Sequence, residues 1–340
     1  MNKFLQKLIL NDSVIKQFSS DQQVIHQGLA PIVAIKNQSI TIQKANLLEQ
    51  SKYSNWQIKA SDIFLHFHKN NIQFLVFKGF AYSYLLYENS HIRPYSDIDI
   101  LIQQSDYEKV ENLLISFGFN RIESRQGKFI SFQNSFYDNN RPQTIIDLHW
   151  QINNRFEFHQ YFPFLQLYQS AVDIKTNRMN FKTLNQIDAF ILACFHYQAH
   201  RPNDRKHIWL YDIALMWNQM DKPTQSHCLK SANQKQQAHI VNALLNKLIL
   251  TFTDCFEFNH SIKNNYESSQ DYLSDRNRKL SDIKIRFKNI KGFKNKLTFL
   301  SEYIFQSKSY MQNRYNIRHN SWIYFYYPRM WIEDFIKLFK

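Results

Sequence analysis

The sequence predicts an α+β protein, a small mixed β-sheet core flanked by helices and followed by a mostly helical C-terminal half. Three observations carry this expectation. Short β-rich apolar runs cluster between about residues 72 and 150, they interleave with helical spacing in the order strand, helix, strand, helix, strand, strand, and strand patterns largely vanish after Phe156. The chain has 340 residues, enough for one large domain or a few packed ones, and 44% apolar and 16% aromatic content excludes intrinsic disorder.

Taken in order, residues 1–60 read as helices with Gln- and Asn-rich polar faces, with Val24, Ile25 and Leu29 and then Ile42, Ala45 and Leu48 at helical spacing, and are expected to form an N-terminal helical cap. A helix carrying Ile63, Phe64 and Phe67 leads into residues 72–77, an apolar run of strand length that ends at Lys78-Gly79. Residues 80–87 return to helical spacing, and residues 97–102, Asp-Ile-Asp-Ile-Leu-Ile, form the second strand. Ser105 and Glu108 have capping-box spacing, which predicts a helix from near Asp106 with a stripe of Val110, Leu113, Leu114 and Phe117 and with Gly118 as its left-handed stop. Residues 128–133 and 144–150 read as two further strands joined by a polar turn with Asn139, Asn140 and Pro142. Residues 187–200, 208–220 and 240–252 are apolar at helical spacing. The expected divisions are a cap over 1–60, the sheet-bearing core over 61–155, a helical domain over 156–260 and a basic, aromatic C-terminal region over 261–340.

With 42 Lys and Arg against 28 Asp and Glu, the formal charge is +14, which points to polyanionic partners. Nine basic residues between Arg276 and Lys296 face the single acid Asp282, so a polyanion contact at 276–296 is one expectation, a solvated helix face or flexible connection the other. Three cysteines, Cys194, Cys228 and Cys255, with no C-x-x-C pair, exclude a disulfide framework or a Cys-rich zinc site and fit a reducing cytoplasm. Charges break up the first 20 residues, leaving no signal-peptide core, and no stretch reaches the ~18 apolar residues of a spanning helix, so no transmembrane segment is expected. The segment from Trp322 to Phe339 is unusually aromatic, consistent with a helix closing a core or lying on a membrane surface.

The chemistry concentrates on the strands. Asp97 and Asp99 lie two apart, so both carboxylates project from one face while Ile98, Ile100 and Ile102 project from the other. Their Cα atoms would stand ~6.6 Å apart, a spacing that lets both converge on a pair of divalent ions about 4 Å apart; the plainer reading is a solvated strand end. Asp147 interrupts another apolar strand, and a buried ion needs a partner. The turn at Lys78-Gly79 presents backbone N–H groups at a helix start together with an ammonium, a combination that suits a triphosphate.

The strand ending in Lys78-Gly79, the run Arg93-Pro-Tyr-Ser-Asp97-Ile-Asp-Ile-Leu-Ile102, and Ile146-Asp-Leu-His-Trp150 together resemble the nucleotidyltransferases of the DNA polymerase β-like superfamily. His196-Tyr-Gln-Ala-His200 and Trp209-Leu-Tyr-Asp212 resemble the helical part of the same family, so the resemblance spans about residues 60 to 220. It implies that Asp97, Asp99 and Asp147 bind Mg2+ or Mn2+, that an NTP such as ATP is the substrate, and that a nucleoside monophosphate passes to an acceptor, whether small molecule, sugar, protein or RNA. Lys78, Gly79, Arg93, His196 and His200 would lie on the nucleotide side. Arg93 is read either as a cation for developing charge or as the structural partner of an acid. Of His196 and His200, which share a helix face, one is expected in the helical core and one in the cleft; Tyr197 where a zinc protease needs Glu excludes that chemistry. His149 is placed on the strand face opposite Asp147 and read as structural, and Asp212 is expected to pair with Arg205 or His207. The competing reading is a catalytically inactive module of the same fold that binds RNA or another polyanion through its basic surface.

Overall fold

The computed structural model describes residues 3–35, 39–125, 127–153, 156–256, 278–317 and 319–338. The chain opens with α1 (Lys3–Leu10), α2 (Asp21–His26), α3 (Ala30–Val33) and the 30-residue α4 (Ile40–Lys69). α4 runs without a break past residue 60 and buries Trp56, Ala60, Ile63, Phe64 and Phe67 along one side.

The core follows: β1 (Phe74–Phe77), α5 (Lys78–Leu85), β2 (Ile98–Ile102), α6 (Tyr107–Ser116), β3 (Asn120–Arg121), β4 (Gln133–Tyr137) and β5 (Ile145–His149). The strands form one five-stranded mixed sheet in the order β1-β2-β5-β4-β3, with β2 and β5 parallel and the other neighbours antiparallel. Next come α7 (Phe164–Gln169), the hairpin of β6 (Val172–Lys175) and β7 (Asn180–Thr183), α8 (Gln186–Ala199), α9 (Ile208–Gln219), α10 (Lys222–Gln234) and α11 (Ala238–Thr251). The last described elements are α12 (Arg278–Asn289), α13 (Phe293–Ile304), α14 (Lys308–Tyr315) and α15 (Ile323–Leu338). The α+β expectation is therefore borne out.

The two-residue period of the strands divides the apolar core in two. Phe74, Val76, Ile98, Ile100, Ile102, Ile146 and Leu148 pack on one side with the buried residues of α4 and α6. Leu75, Phe77 and Leu101 join a second core with α8, α9 and α11 on the other side. Asp97, Asp99, Asp147 and His149 have the parity of this second face, so the sheet aims its polar residues toward the helical half. The N-terminus is tied to that half through Asp12, whose buried carboxylate accepts bonds from His207 (2.6 Å), Tyr211 (2.9 Å) and the Val14 and Ile15 amides.

Three local expectations need correction. Ser105 and Glu108 form no capping box: residues 104–106 are a 3-10 turn and Asp106 is already right-handed (φ −91°, ψ −3°), so the chain enters α6 without a side-chain cap. Gly118 does stop that helix at φ +81°. The strand expected over 128–133 begins only at Gln133, because the Lys128 and Phe129 amides bond Glu302 of α13 and the Phe129 carbonyl accepts from Arg286 of α12, leaving those groups no ladder to join. The β6–β7 hairpin escaped notice because β6 is mostly exposed and each strand has only four residues.

Candidate active site

The ladder assembles the site. Asp99 pairs with Phe77 across the antiparallel β1 and stands in register with Asp147 on the parallel β5, so these two carboxylates lie side by side on the face turned to the helical half. Asp97 immediately precedes β2 and lies on the same side. The structure thus brings Asp97, Asp99 and Asp147 to one face, although they come from two segments about fifty residues apart.

Lys78 turns β1 into α5. It adopts a left-handed φ of +54°, a conformation that costs a non-glycine residue about 1 kcal/mol or more. In return its Nζ stands 2.5 Å from Asp99 Oδ1. On the other side of Asp99 lies His149, with Nε2 3.0 Å from the same oxygen. This corrects the expected position of His149: residues 147 and 149 have equal parity along β5, so both side chains occupy one face. Asp147 is itself held by the Ser135 hydroxyl at 2.5 Å and the Gln133 amide at 3.3 Å, both donated from β4. One ligand atom each of Asp99, Asp147 and His149 falls within 4.8 Å of the others, a cluster that could hold a metal ion.

The electrostatics create a demand for positive charge. Burial, then the charge of Asp99, pushes the Asp97 carboxyl up to about 6. Burial raises Asp99 against the pull of Lys78, and burial followed by the charge of Asp99 raises Asp147. Burial alone would lower Lys78, but the neighbouring carboxylates, Asp99 foremost, carry it above the ordinary lysine value. His149 is depressed by burial and by the Lys78 charge, which favours its neutral imidazole. Two or three carboxylates with one neutral imidazole suit a divalent cation.

Arg93 is paired with an acid. It is buried, and its Nη2 lies 2.6 Å from Asp212 Oδ2, its Nε 3.3 Å from both Asp212 oxygens, and its Nη1 2.7 Å from the Pro94 carbonyl. Tyr87 donates to Asp212 Oδ1 at 2.9 Å. The expected partners of Asp212, Arg205 and His207, bond elsewhere: Arg205 to the carbonyls of Gln198 and His200, and His207 to Asp12. Gly79 is required by this pair, because a Cβ there would sit 2.6 Å from Arg93 Nη1 and 3.1 Å from Tyr95 Cβ.

A cleft of about 330 Å³ opens between the sheet and α8 and α9; Lys78, Gly79, Arg93, Asp97, Asp99, His196 and His200 all line it. Asp147 and His149 flank Asp99 beside it without lining it. His196 and His200 both reach the cleft, so neither is confined to the core. Their rings lie 4.5 Å apart by centroid and contact Trp209 at 4.6 and 4.8 Å, making a three-ring wall. Sequence reasoning quoted Trp209 in a motif without giving it a role, and missed Ser135 and the cleft residues His26, Glu49 and Lys52 of the N-terminal helices. The strand alternation could have found His149; nothing local marks Ser135 or Lys52. None of the described residues of the basic run at 276–296 lines this cleft, and Arg276 falls outside the described residues.

No curated protein matches the chain. Among solved structures, the solution structure of the antibiotic-resistance factor ANT(2'')-Ia aligns over 57% of this chain and 98% of its own, with a TM-score of 0.40 and 11% identity. The crystal structure of an antigenic nucleotidyltransferase-like protein from Paracoccidioides brasiliensis aligns over 57% of this chain and 93% of its own, with a TM-score of 0.34 and 17% identity. The family described as uncharacterised nucleotidyltransferase matches residues 31–249, well over half of the sequence, and this chain belongs to that family.

Proposed function

We propose that the chain moves a nucleoside monophosphate from an NTP to an acceptor hydroxyl, with release of pyrophosphate. The observation that carries this reading is the register of Asp99 against Asp147, with Asp97 one strand step away and Lys78 at the turn beside them. Asp97, Asp99 and Asp147 would hold the Mg2+ or Mn2+, and His149 is a further ligand candidate. When bound, the metal supplies positive charge at the phosphates and lowers the pKa of the acceptor hydroxyl.

The residues divide the remaining work. Lys78 and Gly79 line the cleft, where the ammonium and the amides at the start of α5 would offset the charge of the phosphates. Gly79 leaves the room that Arg93 takes behind the turn, and Arg93, spent on Asp212, fixes the shape of that turn as a positioning residue. His196 and His200, with Trp209, offer a flat wall to the base or the acceptor. Burial of Asp99 and His149 keeps water from the reacting end. Transfer by in-line attack needs no covalent enzyme intermediate, and Cys194, fully buried and raised by burial, offers none.

The test is pyrophosphate release from each of the four NTPs with Mg2+ or Mn2+ against a panel of acceptors. Asp99→Asn and Asp147→Asn should each lower turnover by about a thousandfold or more while leaving the melting temperature within a few degrees. Turnover that survives both substitutions removes the reading.

A further inference from the structure

The C-terminal helices expose an apolar surface that the cleft chemistry does not use. α13 buries Phe299 against Phe129 and Ile290, yet turns Phe293, Leu297, Leu300 and Ile304 outward at spacings of four, three and four residues. α15 buries Ile323, Tyr327 and Met330 with Met311 of α14 and presents Tyr324, Phe325, Trp331, Ile332 and Ile336 to solvent. Phe325 is 79% exposed and Phe293 78%. The two stripes join where Trp331 donates to the Ile304 carbonyl at 2.7 Å and its ring meets Phe305 at 6.1 Å. Together they expose on the order of 1,000 Å² of largely apolar side chain, beyond the few hundred Å² of a typical largest patch.

The charge on α12 and α13 is net positive. Lys284, Lys288, Lys291 and Lys294 on α12, α13 and the turn between them are exposed and make no ion pair with a described residue. The neighbouring acids are already engaged: Glu333 by Arg314 and Arg329, Asp334 by Arg125 and Arg314, and Glu302 by the Lys128 and Phe129 amides. Aromatic and aliphatic side chains in an open stripe beside lysines form the pattern of a helix lying in a lipid interface. A symmetric contact with a second copy would instead bring those lysines toward one another, whereas an anionic bilayer is complementary to them. Among the described residues no helix is long and apolar enough to cross a membrane, so the contact is peripheral. We propose that α13 and α15 dock this protein on an anionic phospholipid surface, with the lysines of α12 and α13 against the headgroups.

The full chain should float with phosphatidylcholine vesicles containing about 30% phosphatidylglycerol, fail to float with phosphatidylcholine alone, and lose binding severalfold between about 0.1 and about 0.5 M salt. Tryptophan emission should shift to the blue on binding, since Trp322 and Trp331 are exposed. Phe325→Glu with Ile332→Glu, and separately Lys291→Glu with Lys294→Glu, should each weaken partition by about tenfold or more. All four positions are exposed, so the melting temperature and pyrophosphate release should stay at parental values, which separates loss of docking from loss of fold. Failure to float with anionic vesicles, or binding unchanged by Phe325→Glu with Ile332→Glu, overturns the proposal. So does a concentration-dependent dimer, formed without vesicles and abolished by the same substitutions, which would assign the face to a second copy.

Discussion

Replacing Asp212 by Asn tests whether the buried ion pair behind the Lys78-Gly79 turn braces the site. The substitution preserves side-chain volume and the acceptor for Tyr87 but removes the countercharge of a guanidinium that is only 5% exposed. Two of the three Arg93 nitrogens are aimed at Asp212, and the third is held by the Pro94 carbonyl, so the cation cannot swing to water without dragging the segment ahead of β2. Stranding a buried charge costs about 3–5 kcal/mol, a large part of the roughly 5–15 kcal/mol that holds a domain together. At about 2–4 °C per kcal/mol, melting should fall by roughly 6–20 °C. Circular dichroism gives the melting temperature, and pyrophosphate release reports the turn, which Arg93 contacts at Gly79. The double variant Arg93→Met with Asp212→Leu should regain most of the lost stability, because a buried pair exchanged for apolar volume is often near neutral. A single variant that melts within about 2 °C of the parent would refute the argument, since a cation left without its counterion cannot be that cheap.

Gly79→Ala should destabilise by about 1–3 kcal/mol and depress turnover further, because its Cβ meets a guanidinium that cannot yield; a variant with parental melting and kcat shows that the turn is slack. His149→Gln should weaken Mn2+ more than Mg2+ in a competition titration, as nitrogen ligation predicts, and equal effects on the two ions would remove His149 from the ligand set. Asp12 supplies a pH test. Burial pushes its carboxyl up, but the hydrogen bond and charge of His207 outweigh it and hold the pKa below the ordinary carboxylate value. The stability it contributes is therefore present above pH ~4 and lost as pH falls through the depressed value. Asp12→Asn should cost about 3 kcal/mol at pH 7 and flatten the acid limb of a melting-temperature profile; an unchanged acid limb contradicts the linkage.

Much of the site was visible in local patterns. The D-x-D spacing put Asp97 and Asp99 on one face because strand side chains alternate, and the structure finds that face turned from Ile98, Ile100 and Ile102. The same alternation, applied consistently to residues 147 and 149, places His149 beside Asp147, and the structure shows His149 on Asp99. The helices over 187–200, 208–220 and 240–252 were legible from apolar spacing. Residues 128–133 misled because their apolar content is spent on contacts with α12 and α13, more than 150 positions away.

What the sequence determined by itself was periodicity: which residues share a strand face or a helix stripe, where Gly118 stops a helix, and that acids interrupt two apolar strands. What only the tertiary structure decided was partnership. The register of β2 on β5, the pairing of Arg93 with Asp212 across 119 positions and of Asp12 with His207 across 195, and the cleft wall of His196, His200 and Trp209 all join distant segments. The reason is physical. Dihedral preferences and side-chain alternation act over a few residues, whereas the partner of a buried charge is chosen by how whole elements pack against one another.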